Sequence, residues 1–180
     1  LTVFGFSTEN WSRPQIEIIE LTKIIETSLE KHAKTLMEKD IRLKVIGDYA
    51  SFSKKTAQLI ADLMQKTSNN QKLTLTIALN YSGRQEIVKA FKKFYSQLNS
   101  LTKPIDSLGY DDVCSFLETK DIPDPDLVIR TSGEYRLSNF MLLQAAYAEL
   151  FFTETLWPDF SEKDLNEALE FYASRERRFG

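Results

Sequence analysis

Short apolar runs alternate with longer amphipathic stretches along this chain. Five runs rich in Leu, Ile, Val and Phe have the length and composition of buried strands, and they are residues 1–6, 41–46, 73–79, 126–130 and 149–152. Between them, apolar residues recur every three or four positions, which is the spacing of one helix face. The predicted helices are residues 14–38, 52–66, 83–98, 109–119, 138–148 and 161–178.

This alternation predicts an α/β fold with a mainly parallel central sheet flanked by helices, because helical crossovers join parallel strands. We expect a single domain over residues 1–180, since a chain of this length buries roughly 70% of the surface of its unfolded form. Polar turns at 7–13, 80–84 and 131–136 each follow a predicted strand. They should share the edge of the sheet where such folds bind ligands.

Composition narrows the class of protein. The net charge is −3, with 42% hydrophobic and 27% charged residues, so the chain has no general attraction for nucleic acid. A single cysteine, Cys114, cannot form an internal disulfide, and a single histidine, His32, cannot build a His-based zinc site. These features predict a cytoplasmic protein whose anion binding, if any, is local.

The segment 126–150 has the pattern of an anion site. Arg130 ends a predicted strand, and Arg136 and Ser138 precede or begin a predicted helix, where free backbone N–H groups and the dipole favour negative charge. Two guanidinium groups offer paired donors for phosphate oxygens, so a diphosphate is the expected ligand. The structural alternative pairs the arginines with Glu134 or Asp126 and makes the serine a helix cap.

Glu149 lies within an otherwise apolar stretch and needs a partner if it is buried. One interpretation is a salt bridge to an arginine. The other is coordination of a hard divalent cation, because Mg²⁺ is bound by one or two carboxylates together with substrate phosphates.

The turn at 7–13 brings an amide, an indole and a guanidinium group together in Asn10, Trp11 and Arg13. It could be a capping turn, with Ser12 as the cap of the following helix. Alternatively, a tryptophan on a loop at the ligand edge indicates a lid over substrate. For the turn at 80–84, a structural role is the favoured interpretation.

Several longer motifs occur in order, and together they resemble the bacterial cis-prenyltransferase family of undecaprenyl diphosphate synthases. The resemblance covers essentially the whole chain. It rests on Phe-Ser-Thr-Glu-Asn-Trp-Ser-Arg-Pro at 6–14, Asn-Tyr-Ser-Gly-Arg-Gln-Glu-Ile at 80–87, the segment 129–149, Leu-Trp-Pro-Asp-Phe at 156–160 and Arg-Glu-Arg-Arg-Phe-Gly at 175–180.

The resemblance implies a homodimer in which each sheet and its helices enclose an apolar tunnel. It implies a prenyltransferase that adds isopentenyl diphosphate repeatedly to farnesyl diphosphate, forms cis double bonds and requires Mg²⁺. The long polyprenyl diphosphate product would serve as a cell-wall lipid carrier, which implies peripheral contact with the membrane.

Site residues follow from the same resemblance. Asn10 matches the position usually proposed as proton acceptor, although a neutral amide is a poor base and the departing diphosphate a better one. Glu149 matches a magnesium ligand. The implied substrate-binding residues are Ser7, Thr8, Glu9, Trp11, Arg13, Arg130, Arg136, Leu137 and Ser138.

Two expectations limit this assignment. The family's N-terminal strand, its Asp-Gly-Asn-Gly-Arg phosphate loop and its first helix have no counterpart in residues 1–180, so these residues alone are expected to be inactive. The alternative function is a non-catalytic subunit or isoprenoid-binding homologue. In such a protein Arg130, Arg136 or Glu149 would be expected to have changed.

Overall fold

A computed structural model describes residues 1–97 and 104–176. The described strands are Thr2–Ser7 (β1), Ile41–Ile46 (β2), Leu73–Tyr81 (β3), Leu127–Arg130 (β4) and Glu149–Phe152 (β5). The helices are Gln15–Glu38 (α1), Lys54–Lys66 (α2), Gly83–Ser96 (α3), Tyr110–Cys114 (α4) and Glu162–Ala173 (α5). Within the described ranges, no helix combines the length and apolar character needed to cross a membrane.

All five predicted strands are confirmed, and every strand pair is parallel, as expected for an α/β fold. The strands form two sheets, one of three strands in the order β1-β3-β2 and one containing β4 and β5. The residues group into two compact units, Leu1–Glu118 and Thr119–Gly180. The single domain expected over 1–180 stays a prediction.

The first unit is built around β3, which pairs with β1 on one side and β2 on the other. Phe6, Leu43 and Leu79 from its three strands are at most 2% exposed, and Ile60 from α2 is fully buried. These residues belong to one core cluster, in which Leu29 from α1 also packs. Helices α1 and α2 therefore place their apolar stripes on the sheet, as their periodicity predicts.

Gly47 allows β2 to end close to β3. Its φ is +98°, and a Cβ atom at this position would lie 2.2 Å from the backbone oxygen of Leu79. Only glycine has both the conformational freedom and the space for this approach. The carboxyl ends of β2 and β3 are thereby held together.

The second unit contains the β4–β5 pair and α5. The register aligns Leu127 with Glu149 and Arg130 with Phe152. Arg130 and Glu149 consequently lie at opposite ends of the pair, about 10 Å apart along the strands at 3.3 Å per residue.

Three predicted helices are shorter than their patterns suggested. The first residues of the stretch 109–119 form α4, but it ends at Cys114, and α5 ends at Ala173 rather than 178. Helix α3 ends at Ser96, and position 98 of its predicted range lies outside the described residues, as do positions 177–180. The fourth difference is at 138–148, within the segment expected to bind a diphosphate.

Candidate diphosphate site

The turn after β1 is a 3-10 helix, Thr8–Ser12, that carries most of the residues expected to contact substrate. The side chain of Asn10 folds back, and its Oδ1 accepts a hydrogen bond from the backbone N–H of Ser7 over 2.8 Å. The oxygen of Asn10 is thus already engaged by a backbone donor, and its NH₂ group can only donate. The arrangement therefore disfavours Asn10 as a proton acceptor.

The other polar side chains of this turn are tied to one another. Thr8 Oγ1 donates to Glu9 Oε2 over 2.9 Å, and Arg13 forms an exposed ion pair with Glu17 at 3.3 Å. The hydroxyl of Ser12 donates back to the Glu9 carbonyl oxygen at 2.7 Å. The alternative in which Ser12 caps the next helix is wrong, because Pro14 is the N-cap of α1 and provides no side-chain bond.

Trp11 packs on the end of the sheet. Its ring centroid lies 5.1 Å from that of Phe6 and 5.7 Å from that of Phe52, and 38% of the residue remains exposed. Its Nε1–H donates to Oδ1 of Asn80 over 2.8 Å. Trp11 is therefore held by aromatic contacts and one hydrogen bond, while part of the indole faces solvent. Whether it moves as a lid stays a prediction.

Asn80 is the functional candidate that sequence reasoning missed, because it was grouped with a turn given a structural role. It lies near the end of β3, is 8% exposed and has a φ of +48°. A polar residue directly after a buried apolar run was the signal available in the sequence. Its contact with Trp11 brings together two of the three polar turns expected at one sheet edge.

A pocket of about 180 Å³ opens at the carboxyl ends of the three strands in the first unit. Its lining includes Thr8, Gly47, Asn80 and Glu118. Glu118 Oε2 accepts the backbone N–H of Gly47 at 2.7 Å, and its Oε1 pairs with Lys89 Nζ at 3.0 Å. The carboxyl-end location agrees with the ligand edge predicted for parallel sheets.

Arg130 is the last residue of β4 and is partly buried. Its Nε is inaccessible to solvent and has no hydrogen-bond partner. Within residues 1–97 and 104–176, the Arg130 side chain forms no ion pair. The alternative in which Arg130 pairs with Asp126 is therefore wrong. A buried N–H donor without an acceptor is costly, and an anionic ligand would satisfy it.

The turn after Arg130 is fixed to the segment that follows β5. The backbone N–H groups of Ser132 and Gly133 donate to the carbonyl oxygens of Thr155 and Thr153 over 2.9 and 3.0 Å. Ser132 and Gly133 have φ values of +70° and +63°. This turn therefore has a defined, left-handed shape directly beside Arg130.

Two acidic residues contact side chains of this turn. Arg136 forms an ion pair with Glu134, as the structural alternative predicted, with 64% of the arginine side chain exposed. Tyr135 donates its hydroxyl to Glu154 Oε1 at 3.0 Å, and this hydrogen bond raises the pKa of the tyrosine. Tyr135 therefore stays protonated near neutral pH.

The helix predicted at 138–148 is absent, and the segment consists of turns. Ser138, Asn139 and Met141 have φ values of +49°, +63° and +43°, and a right-handed helix cannot continue through left-handed residues. Ser138 is therefore neither a helix cap nor part of a helix N-terminus. The Leu137 carbonyl oxygen accepts the N–H of Phe140 at 3.0 Å within these turns.

Glu149, the predicted magnesium ligand, is held by an arginine. Its side chain is 19% exposed, and its Oε2 accepts a hydrogen bond from Arg175 Nε at 3.1 Å. Among the described residues, no cluster of three or more His, Cys, Asp or Glu side chains could hold a metal ion. These residues thus form the salt bridge that was one of the two interpretations, and they do not build a complete metal site on their own.

Comparison with known proteins gives one consistent result. The family model "Putative undecaprenyl diphosphate synthase" matches residues 1–180. The isoprenyl transferase of Halalkalibacterium halodurans is 43% identical over the whole chain, which spans 70% of that protein. A ditrans,polycis-undecaprenyl-diphosphate synthase ((2E,6E)-farnesyl-diphosphate specific) of Coxiella burnetii is 44% identical over the whole chain, which spans 76% of it.

Two solved structures resemble the whole chain. A probable undecaprenyl diphosphate synthase from Campylobacter jejuni has a TM-score of 0.89 at 32% identity, and the similarity covers 82% of that chain. Lavandulyl diphosphate synthase from Lavandula x intermedia, in complex with dimethylallyl diphosphate, has a TM-score of 0.94 at 34% identity over 78% of its chain.

Proposed function

The chain belongs to the undecaprenyl diphosphate synthase family and is a cis-prenyltransferase that makes a polyprenyl diphosphate; we propose that it joins isopentenyl diphosphate repeatedly to farnesyl diphosphate. We also propose that Arg130 binds the isopentenyl diphosphate. The names of its relatives support the farnesyl primer. The retained Arg130, Arg136 and Glu149 favour a catalytic protein over a non-catalytic homologue.

The unpartnered Nε of Arg130 is the observation that carries this proposal. A guanidinium group loses much of its hydration when it is partly buried, and the lost hydrogen bonds are recovered when a phosphate oxygen accepts from it. Among the arginines that sequence reasoning assigned to substrate, Arg136 and Arg13 already have carboxylate partners. Of the three, Arg130 is therefore the arginine that can bind a diphosphate without first losing a carboxylate partner.

We propose that Arg136 contributes after exchanging its present partner. Its ion pair with Glu134 is largely exposed, and exposed pairs contribute only about 0.2–1 kcal/mol. A diphosphate with several negative oxygens can compete for such an arginine. Leu137 and Ser138 follow directly in the chain, and their proposed contribution is through backbone and hydroxyl groups in the turns, not through a helix dipole.

Each condensation would break the allylic C–O bond of the primer and form a C–C bond to isopentenyl diphosphate, which then loses a proton. Cationic groups near the diphosphates lower the barrier because they stabilise negative charge on the leaving group. The proton goes to the released diphosphate, a better base than an amide. We propose that Asn10, through its remaining NH₂ donor, orients a diphosphate oxygen.

The turn of Ser7, Thr8, Glu9, Trp11 and Arg13 is proposed to contact the allylic substrate. The partly exposed Trp11 supplies an apolar surface, and a dry apolar wall protects a carbocation-like carbon from water. We propose a homodimer and, because the product is a lipid, peripheral contact with the cytoplasmic face of the membrane.

We propose that the reaction uses Mg²⁺, bound mainly by substrate phosphates. Within the part of the chain that the structure describes, only Glu149 was assigned as a ligand, and it is paired with Arg175. Mg²⁺ keeps several waters and needs few protein carboxylates when phosphates are present.

The deciding experiment is a product assay on the enzyme expressed from its complete gene. Radiolabelled isopentenyl diphosphate, farnesyl diphosphate and Mg²⁺ should yield polyprenyl diphosphate whose chain length is read by reversed-phase thin-layer chromatography. Dimethylallyl diphosphate should be tested in parallel as the short primer. No incorporation with either primer, from protein shown to be folded, would overturn the proposal.

A further inference from the structure

Asn80 connects the turn that carries Trp11 to the loop that follows β2. Its Oδ1 accepts the indole N–H of Trp11 at 2.8 Å. Its Nδ2 donates to the backbone oxygen of Asp48 at 3.2 Å and to Ser51 Oγ at 2.8 Å. The amide side chain thus uses its oxygen on one loop and both hydrogens on the other.

This bonding pattern fixes the orientation of the amide. If the Asn80 amide were rotated by 180°, its NH₂ group would face the N–H of Trp11, and its oxygen would face the carbonyl of Asp48. Both contacts would then be repulsive, and three hydrogen bonds would be weakened or lost. The acceptor for Trp11 is therefore preorganised by the β2 loop.

The hydrogen bond adds what the aromatic contacts of Trp11 do not provide. Phe6 and Phe52 contact the ring at centroid distances of 5.1 and 5.7 Å, and such contacts tolerate a range of ring orientations. A single acceptor at 2.8 Å fixes the rotation of the indole in its plane. Because Trp11 lies inside the 3-10 helix Thr8–Ser12, fixing its side chain also restrains that turn.

We propose that Asn80 is a positioning residue that sets the affinity for the allylic substrate by holding Trp11, and with it the turn 8–12, in a binding-competent orientation. This inference rests on the proposed substrate contact of the turn. Asn80 itself need not touch substrate. The positive φ of Asn80 does not explain why an asparagine is present at this position, because glycine adopts that conformation more easily.

The first test compares Asn80→Gly with Ser51→Ala. Glycine accepts the φ of +48° but removes every side-chain bond, whereas alanine at 51 removes a bond on the β2 side and leaves the Trp11 contact. In the full-length enzyme, Asn80→Gly should raise the KM for farnesyl diphosphate about three- to tenfold, the equivalent of one hydrogen bond, with little change in kcat. Ser51→Ala leaves the bond to the Asp48 carbonyl that still orients the amide, so it should change this KM much less.

A spectroscopic readout separates positioning from general destabilisation. In a Trp157→Phe background, Trp11 is the only tryptophan of this sequence. Without ligand and well below the unfolding temperature, Asn80→Gly should increase acrylamide quenching of Trp11 fluorescence about twofold or more, and Ser51→Ala should not. If folded Asn80→Gly shows neither increased quenching nor a raised KM, the inference is overturned.

A conservative variant and a variant of Trp11 complete the design. Asn80→Asp keeps the acceptor for Trp11 but loses the donor to Asp48, so stability should fall while quenching and KM stay nearer to wild type than in Asn80→Gly. Trp11→Ala tests the premise. An unchanged KM in Trp11→Ala rejects the substrate role of the turn, whereas a raised KM there with normal behaviour of Asn80→Gly rejects only the role of Asn80.

Discussion

Arg175 Nε lies 3.1 Å from Glu149 Oε2, so the carboxylate expected to bind magnesium is engaged by a cation of the same chain. The arginine side chain is 52% exposed and the glutamate side chain 19%. The guanidinium carbon of Arg175 also lies 5.8 Å from the ring centroid of Phe171, and this cation–π contact helps to hold the arginine in place. Arg175 and a metal ion would therefore compete for one carboxylate.

This competition predicts opposite effects for two variants on the response to Mg²⁺. Glu149→Gln removes the charge that attracts the ion, so the Mg²⁺ concentration for half-maximal turnover should rise on the order of tenfold. Arg175→Ala should leave that concentration unchanged or lower it, because it frees the carboxylate. Titration of turnover with Mg²⁺ measures both. If both variants lose stability without a shift in the Mg²⁺ response, Glu149 has only a structural role.

Replacement of Arg130 should separate binding from stability. Arg130→Met keeps an unbranched apolar stem but removes the buried, unpartnered Nε. We expect the KM for isopentenyl diphosphate to rise by one to two orders of magnitude, since charge-assisted bonds to phosphate are lost. Without substrate, the free energy of unfolding should be unchanged or higher, because an unsatisfied buried donor costs about 1–3 kcal/mol. Urea unfolding of both proteins checks the second expectation.

A large loss of stability in Arg130→Met would contradict this assignment, because it would mean that the guanidinium group stabilises the fold. Arg130→Lys is the matched control. It restores a charge but not the paired donors, so the KM should recover only in part.

Release of Arg136 from its partner should strengthen substrate binding. Glu134→Gln removes the carboxylate of the exposed ion pair, and the KM for isopentenyl diphosphate should fall by up to about fivefold, which corresponds to the 0.2–1 kcal/mol of such pairs. The gain should shrink at high ionic strength. Steady-state kinetics at low and high salt provide the measurement, and an increase in KM would indicate that Glu134 orients Arg136 for its ligand.

Sequence patterns predicted the strands well, because a buried strand is a short, continuous apolar run with little ambiguity. All five predicted runs are strands, and the long helical stretches between them correctly indicated parallel pairing. The helices α1 and α2 also match their amphipathic spacing closely. These features depend on local composition and on burial, both of which are visible in a single sequence.

The site was harder to predict because its details depend on backbone shape and on distant partners. The apolar residues of 138–148 have helical spacing, but three left-handed residues there prevent a helix. The contact between Trp11 and Asn80 joins positions 69 residues apart, and no local pattern encodes it. Spacing did identify the candidates Arg130 and Glu149, but it could not choose between a ligand and a salt bridge for either.

The hydrogen bonds of Asp164 at the start of α5 should make the free energy of unfolding depend on pH in the acidic range. Asp164 accepts hydrogen bonds from the hydroxyl and backbone N–H of Ser161 and from Thr155, and these bonds lower its pKa from 3.8 to about 2. Because the folded-state pKa is lowered, its stabilising contribution is present above about pH 4 and is lost as the pH falls toward 2.

Asp164→Asn should therefore be less stable than wild type at neutral pH, and the difference should shrink between pH 4 and pH 2. Urea unfolding across this range, followed by circular dichroism, measures the difference. Lys163→Gln is a suitable control, because Lys163 lies next to Asp164 in the chain and forms an exposed ion pair with Glu167 at 3.7 Å. A difference that does not vary with pH would show that the ionised form of Asp164 is not what stabilises the fold.

Glycine and alanine at position 138 should have opposite effects in a turn and in a helix, which makes the backbone of 138–148 directly testable. In a helix, alanine is more stable than glycine by about 1 kcal/mol. At the observed φ of +49°, glycine has no steric cost, whereas alanine carries about 1–2 kcal/mol. Ser138→Gly should therefore be more stable than Ser138→Ala by about 1 kcal/mol in urea unfolding without substrate. The reverse order would place Ser138 in a helix and would restore a helix N-terminus as part of the diphosphate site.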